Sequence, residues 1–153
     1  MPCRGCAAGS RFCGAGWRIS TTAPGATLAR GGSSDAIAER LLDITAGVIK
    51  LLPTLGDQPG ARAIVRQLER CGPSAGANYE EARGAESSAD FVYKVRIALK
   101  ELHEARYWLK LVLRAGLVAA LATLAPLIDE TSQLIAILTA SASTAKGRSA
   151  RRG

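Results

Sequence analysis

The sequence predicts an all-α fold, an up-down-up-down four-helix bundle, on three grounds. Four segments carry apolar residues at alternating spacings of four and three, the pattern of helices packed side by side. Capping and breaking residues bound each segment. The connections between segments are short, which sets neighbouring helices antiparallel.

Ser34 is placed to cap the first helix, with Asp35 and Glu39 in its positive first turn. The stripe Ile37, Leu41, Ile44, Val48, Leu51 follows, and the helix is expected to end near Leu52, ahead of Pro53. A turn holding Gly56 and Asp57 leads to Pro59, a favourable first helical residue. The second stripe is Ile64, Leu68, Cys71, Ala75, Asn78, Ala82. Gly72-Pro73 should break this helix locally, because proline removes a donor and crowds the preceding turn. The stripe nevertheless stays in phase across Pro73, so one kinked helix is expected from Pro59 to about Arg83, closed by Gly84. Ser87 and Asp90 form a variant capping box for a third helix running to Ala115, before Gly116. Its seam is Phe91, Val95, Ala98, Leu102, Ala105, Leu109, Val112. In the fourth, Thr123 is read as the cap with Pro126 in the first turn, followed by Leu127, Thr131, Leu134 and Leu138, fraying near Ala145.

Several motifs in these segments resemble the bacterial 23S rRNA-intervening sequence protein family. They are Gln67-Leu68, the small-residue run Ser74-Ala75-Gly76-Ala77-Asn78, Tyr79-Glu80-Glu81-Ala82, Ile97-Ala98-Leu99-Lys100-Glu101, Glu104 and Tyr107-Trp108-Leu109. Leu134 to Ser141 completes the set, and the likeness covers roughly Asp35 to Lys146. Pro73 departs from the family pattern, which carries Thr or another helix-tolerant residue there. The resemblance implies a four-helix bundle assembled as a homo-oligomeric, pentamer-like barrel, in a family most of whose members have no assigned activity.

The formal charge of +7 is unevenly spread. All 13 acidic residues lie between Asp35 and Glu130, and residues 35–140 hold 12 Lys and Arg, a net −1. The excess sits in Arg4, Arg11, Arg18 and Arg30 at one end and Lys146, Arg148, Arg151 and Arg152 at the other. The expected organisation is therefore a disordered basic tail over 1–34, a bundle over 35–145, and a basic tail over 146–153. The first segment also has the composition of a transit peptide, and an over-long start is an equal explanation. No apolar stretch is long enough to cross a bilayer, so a cytoplasmic protein without membrane contact is expected. Cys3-x-x-Cys6 has half of a zinc knuckle's spacing, but no second pair follows and the single histidine, His103, is remote. Free thiols in a reducing compartment are expected.

Advancing 100° per residue, the third helix shows two further faces. Tyr93, Ile97, Trp108 and Leu111 fall together on a side roughly opposite the core, which calls for a subunit contact or for cover by a tail or the segment from Leu117 to Ala122. Arg96, Lys100, His103, Tyr107, Lys110 and Arg114 form a row without a carboxylate, spaced one helical turn apart. Such a row suits a phosphate backbone, RNA or DNA, with a base or sugar stacked on Tyr107. The competing expectation is a solvated face on a protein-interaction scaffold. Asn78 is read as a polar core residue with Glu81 or Glu101 as partners.

Catalysis is not expected. Glu80, Glu81, Glu101 and Glu104 lack an accompanying nucleophile, oxyanion donor or phosphate-cradling loop. A di-metal bundle needs Glu-x-x-His twice, whereas Lys100 precedes the single His103 by three, so no metal or cofactor is expected. The sequence therefore points to a non-enzymatic homo-oligomer acting as a nucleic-acid-binding or adapter module.

Overall fold

The computed structural model describes residues 34–118 and 121–151, apart from the side chains of Leu121 and Ser149. The expectations for the N-terminal tail and its three cysteines lie outside the described residues. Helix α1 spans Ser34–Leu51, α2 Pro59–Arg83, α3 Ser88–Arg114 and α4 Leu121–Ala150, with a 3-10 turn at Leu52–Thr54. No strand occurs among the described residues. Helices α1 and α3 each pack on α2 and α4 but not on each other, which gives a four-cornered bundle. Pairing of Arg83 near the end of α2 with Asp35 at the start of α1 runs those helices antiparallel. The pairs Lys94–Glu81 and Arg70–Glu104 do the same for α2 and α3.

The expected seams of α1 and α3 form the core: Ile37, Leu41, Ile44, Val48 and Leu51 face Val95, Ala98, Leu102, Ala105, Leu109 and Val112, all buried. Phe91, at the open end of the α3 seam, is half-buried against them. Ser87 caps α3 by accepting from Asp90 N at 3.1 Å. Gly116 ends it in a left-handed conformation (φ 62°), with Leu117 N bonded to Val112 O and Gly116 N to Leu113 O. That pair of bonds satisfies carbonyls the last turn would otherwise leave open. Gly84 ends α2 differently: at φ −88° it is not left-handed, and its N–H reaches back to the Glu80 and Glu81 carbonyls.

Helix α2 continues unbroken through Pro73. The helix survives because its buried side, Leu68, Cys71, Gly72, Ala75 and Tyr79, is clamped against its neighbours. At Gly72 an added methyl would sit 3.2 Å from Val48 Cγ1, so the α1 and α2 backbones meet closely there. The Thr45 hydroxyl donates at this crossing to the carbonyl of Gly72 (3.2 Å) or of its own helix at Leu41 (3.0 Å). Pro73 itself is exposed and leaves the Glu69 carbonyl without its helical donor. Replacing Pro73 with Ala should therefore stabilise the protein by about 1–2 kcal/mol, the helix gain less the entropy returned to the unfolded chain. Urea unfolding of the two proteins checks this; a less stable variant would mean that the ring makes contacts worth more than the missing bond.

Two sequence readings are corrected. The core position near the end of α2 is filled by Tyr79, 4% exposed, and not by Asn78, which is half-buried. Helix α4 begins at Leu121, ahead of Thr123, so Pro126 lies in its second turn; the helix then runs past Ala145 to Ala150. Its buried seam is Leu124, Ile128, Thr131, Leu134, Ile135, Leu138 and Ala142, with Leu127 displaced to the edge facing Gly47 of α1. Thr131 is fully buried, and its hydroxyl donates to Leu127 O at 2.7 Å, so no polar group is stranded. The Cys71 thiol is pushed up to about 11, chiefly by burial, which keeps it protonated and unreactive at neutral pH.

Candidate nucleic-acid interface on helix α3

Helix α3 carries six Lys and Arg against three acids, a net +3. Packing its apolar seam inward turns the opposite side to solvent, and Arg96, Lys100, His103, Tyr107, Lys110 and Arg114 are all exposed there. Over 18 residues the row extends about 27 Å along the helix. Arg96, Lys100, Lys110 and Arg114 form no ion pair with a described carboxylate. The Arg106 guanidinium, half-buried beside the row, donates to His103 Nδ1 at 3.2 Å and adds a cation that the spacing alone did not pick out.

The acids that could neutralise this face are held elsewhere. Arg70 of α2 pairs with Glu104 and lies 3.6 Å from Glu101, while Lys94 takes Glu81. Helix α4 contains only Asp129 and Glu130, the latter paired with Arg40 of α1, so residues 131–150 border α3 without negative charge. Arg70 holds the Glu104 carboxyl below its ordinary value, first through its hydrogen bond, with a further bond from the Trp108 indole. Because the folded value is the lower one, this pair contributes fully above the unfolded carboxylate value of about 4.3, and the contribution fades as pH falls through the folded value.

The polar residues read as a buried set do not come together. Asn78 donates to Ser74 O at 2.8 Å and to Ser74 Oγ at 3.3 Å within its own helix. Glu81 is bound to Lys94. Glu101 is the acid that is withdrawn from solvent, and its Oε2 is buried without a hydrogen bond. Glu101→Met is accordingly expected to leave stability unchanged or raise it by about 1 kcal/mol, since it removes a buried oxygen that has no hydrogen bond and only the 3.6 Å ion pair with Arg70, while Arg70 keeps Glu104. Arg70→Met, which leaves both acids without their cation, should lower it. Thermal unfolding of both variants distinguishes these opposite signs.

The aromatic and aliphatic group is also split. Tyr93 is 61% exposed, whereas Ile97, Trp108 and Leu111 are half-buried, the last two packed on the core. Trp108 reaches around α3 toward α2: its N–H meets Glu104 at 3.4 Å, and its ring stands edge-to-face with Tyr107 at 4.9 Å. Tyr107 itself points outward, 60% exposed, in the middle of the cationic row. The four residues are thus not one open apolar patch on the side opposite the core. Among the described residues no three His, Cys, Asp or Glu side chains are grouped to hold a metal ion, and no helix is long and apolar enough to cross a membrane.

The fold and this face define a four-helix protein with a cationic, tyrosine-bearing helix surface. The chain belongs to the 23S rRNA-intervening sequence protein family, whose model matches residues 36–140. Among solved structures it is similar to a protein of unknown function from the S23 ribosomal protein family of Bacteroides thetaiotaomicron. The two are 27% identical with a TM-score of 0.64, over 72% of this chain and 97% of that one. No curated protein matches the chain.

Proposed function

We propose that the outer face of α3 binds nucleic acid, with Arg96, Lys100, Lys110 and Arg114 on phosphates, His103 at a phosphate or sugar, and Tyr107 stacking on a base or sugar. The observation that carries this reading is a solvent-exposed row whose cations have no carboxylate partner, on a helix two of whose three acids, Glu101 and Glu104, are turned to Arg70. The names of the family and of its solved relative, one an rRNA-intervening sequence protein and the other a member of a ribosomal protein family, favour RNA over DNA as the first ligand to test. The protein acts in this reading without catalysis, in the cytoplasm, as a binding or adapter module.

Self-association is part of the proposal. The family resemblance favours a pentamer-like assembly, and Tyr93 is an exposed aromatic on α3 suited to anchor it, with the half-buried Ile97, Trp108 and Leu111 as further contacts. A ring of copies would repeat the cationic face and raise affinity through multivalency. A protein-interaction scaffold without nucleic acid is the second reading, favoured by the exposure of Leu42 and Ile49 on α1.

The test is a fluorescence-anisotropy titration of single-stranded RNA and duplex DNA against the full chain and against residues 34–145, at two salt concentrations. Binding by the shorter chain that weakens with salt supports the α3 face. Binding by the full chain alone would assign the attraction to the basic ends and leave the scaffold reading.

A further inference from the structure

We propose that the outer groove between α1 and α2 docks a cationic amphipathic helix of a partner protein. The groove, about 560 Å³, is floored by Ala38, Leu42, Thr45, Pro73, Gly76 and Ala77. Leu42 is 61% exposed, and Ile49, seven residues on and therefore on the same side of α1, is 54% exposed. Neither belongs to the core. Lining residues recur at 35, 38, 42 and 45 on one wall and at 73, 76, 80 and 83 on the other. That recurrence runs the groove along both helices for about three turns, roughly 15 Å. Gly76 and Ala77 lack bulk, so a partner backbone can settle close to α2. An open channel of this length, with Ala38, Leu42, Pro73, Gly76 and Ala77 in its floor, fits side chains presented at i, i+3, i+4 and i+7 by another helix.

The rim selects the charge of that helix. Asp35, Glu39 and Glu80 line the groove against a single cation, Arg83. Arg83 is already shared by Asp35 and Glu80, and Glu39 forms no ion pair with a described cation. The net negative rim around exposed Leu42 complements a helix with an apolar stripe flanked by Lys or Arg. Helices α1 and α3 occupy diagonal corners of the bundle, so the groove and the cationic row are on different sides. The inference does not rest on nucleic-acid binding.

The probe is a fluorescein-labelled synthetic peptide of about four helical turns, with leucine at the stripe positions and lysine elsewhere. Its counterpart carries glutamate in place of lysine. Each is titrated against the full chain, Leu42→Asp, Glu39→Lys and the α3 variant Arg96→Ala/Lys100→Ala/Lys110→Ala. The lysine peptide is expected to bind the wild type and the α3 variant alike, and Leu42→Asp and Glu39→Lys about tenfold or more weakly. The glutamate peptide should not bind. Equal binding by both groove variants, no binding at all, or equal binding of the glutamate peptide would overturn the proposal. Sedimentation of the peptide-free proteins supplies a further readout: if Leu42→Asp dissociates a wild-type assembly, the groove holds a second copy and the partner helix is rejected. Glu39→Lys changes an exposed residue outside the core, so the comparison survives a folding defect in Leu42→Asp.

Discussion

Leu109→Ala should lower the free energy of unfolding by about 3 kcal/mol and the melting temperature by on the order of 10 °C. Leu109 is completely buried and sits in the α3 seam, where α3 meets both α2 and α4. Removing three heavy atoms from it takes away apolar burial and leaves a cavity. The neighbours cannot close that cavity, because Ala105 and Val112 on the same seam are already small and fully buried. Leu113→Ala, one turn on and 37% exposed, is the matched control and should cost about 1 kcal/mol or less. Denaturant unfolding followed by circular dichroism checks both. A small loss at Leu109 would mean that the bundle repacks freely and that α3 does not hold its cationic face in a fixed orientation.

The second large effect is functional. Converting Arg96, Lys100 and Lys110 together to Ala should weaken RNA binding by on the order of a hundredfold near physiological salt, and should make the dependence of log K on log salt shallower by about 2–3. All three side chains are exposed and outside the ion pairs of the bundle, so unfolding should move by no more than about 0.5 kcal/mol. Unchanged stability with lost affinity distinguishes a binding face from a structural one. The matched control, Arg70→Ala, removes a cation that already serves Glu101 and Glu104, and its effect should fall on stability first.

Much of the fold was legible because the strongest signals were redundant. In α1 and α3 the seam residues are apolar throughout, and capping residues bound each stripe, so phase and boundaries agreed even though Leu42, Ile49 and Tyr93 put apolar side chains on the outer faces. In α2 the in-phase stripe correctly outweighed the local breaking tendency of Pro73, since packing of Cys71, Gly72 and Ala75 outweighs one missing bond. The same stripe was pressed too far at Asn78. A strict alternation of fours and threes drifts against a 3.6-residue helix, and the next residue, Tyr79, brought the larger apolar surface to the core. Helix α4 was harder because Leu124, Leu127 and Ile128 offer two equally apolar phases, and only the neighbouring helices decide between them. The cationic row could be read from spacing alone. That its flanks are cleared of negative charge could not, because it depends on Arg70 of α2 facing Glu101 and Glu104 across an interface, and on Trp108 folding back onto Glu104.

The central claim is that nucleic acid meets the outer face of α3, and amide chemical shifts of residues 34–151 during titration with a short single-stranded RNA test it most directly. The account predicts saturable shifts at Arg96, Lys100, His103, Tyr107, Lys110 and Arg114, with α1 and the first half of α2 unmoved. Shifts confined to the end of α4 around Lys146 and Arg148, or to the α1–α2 groove, would contradict it.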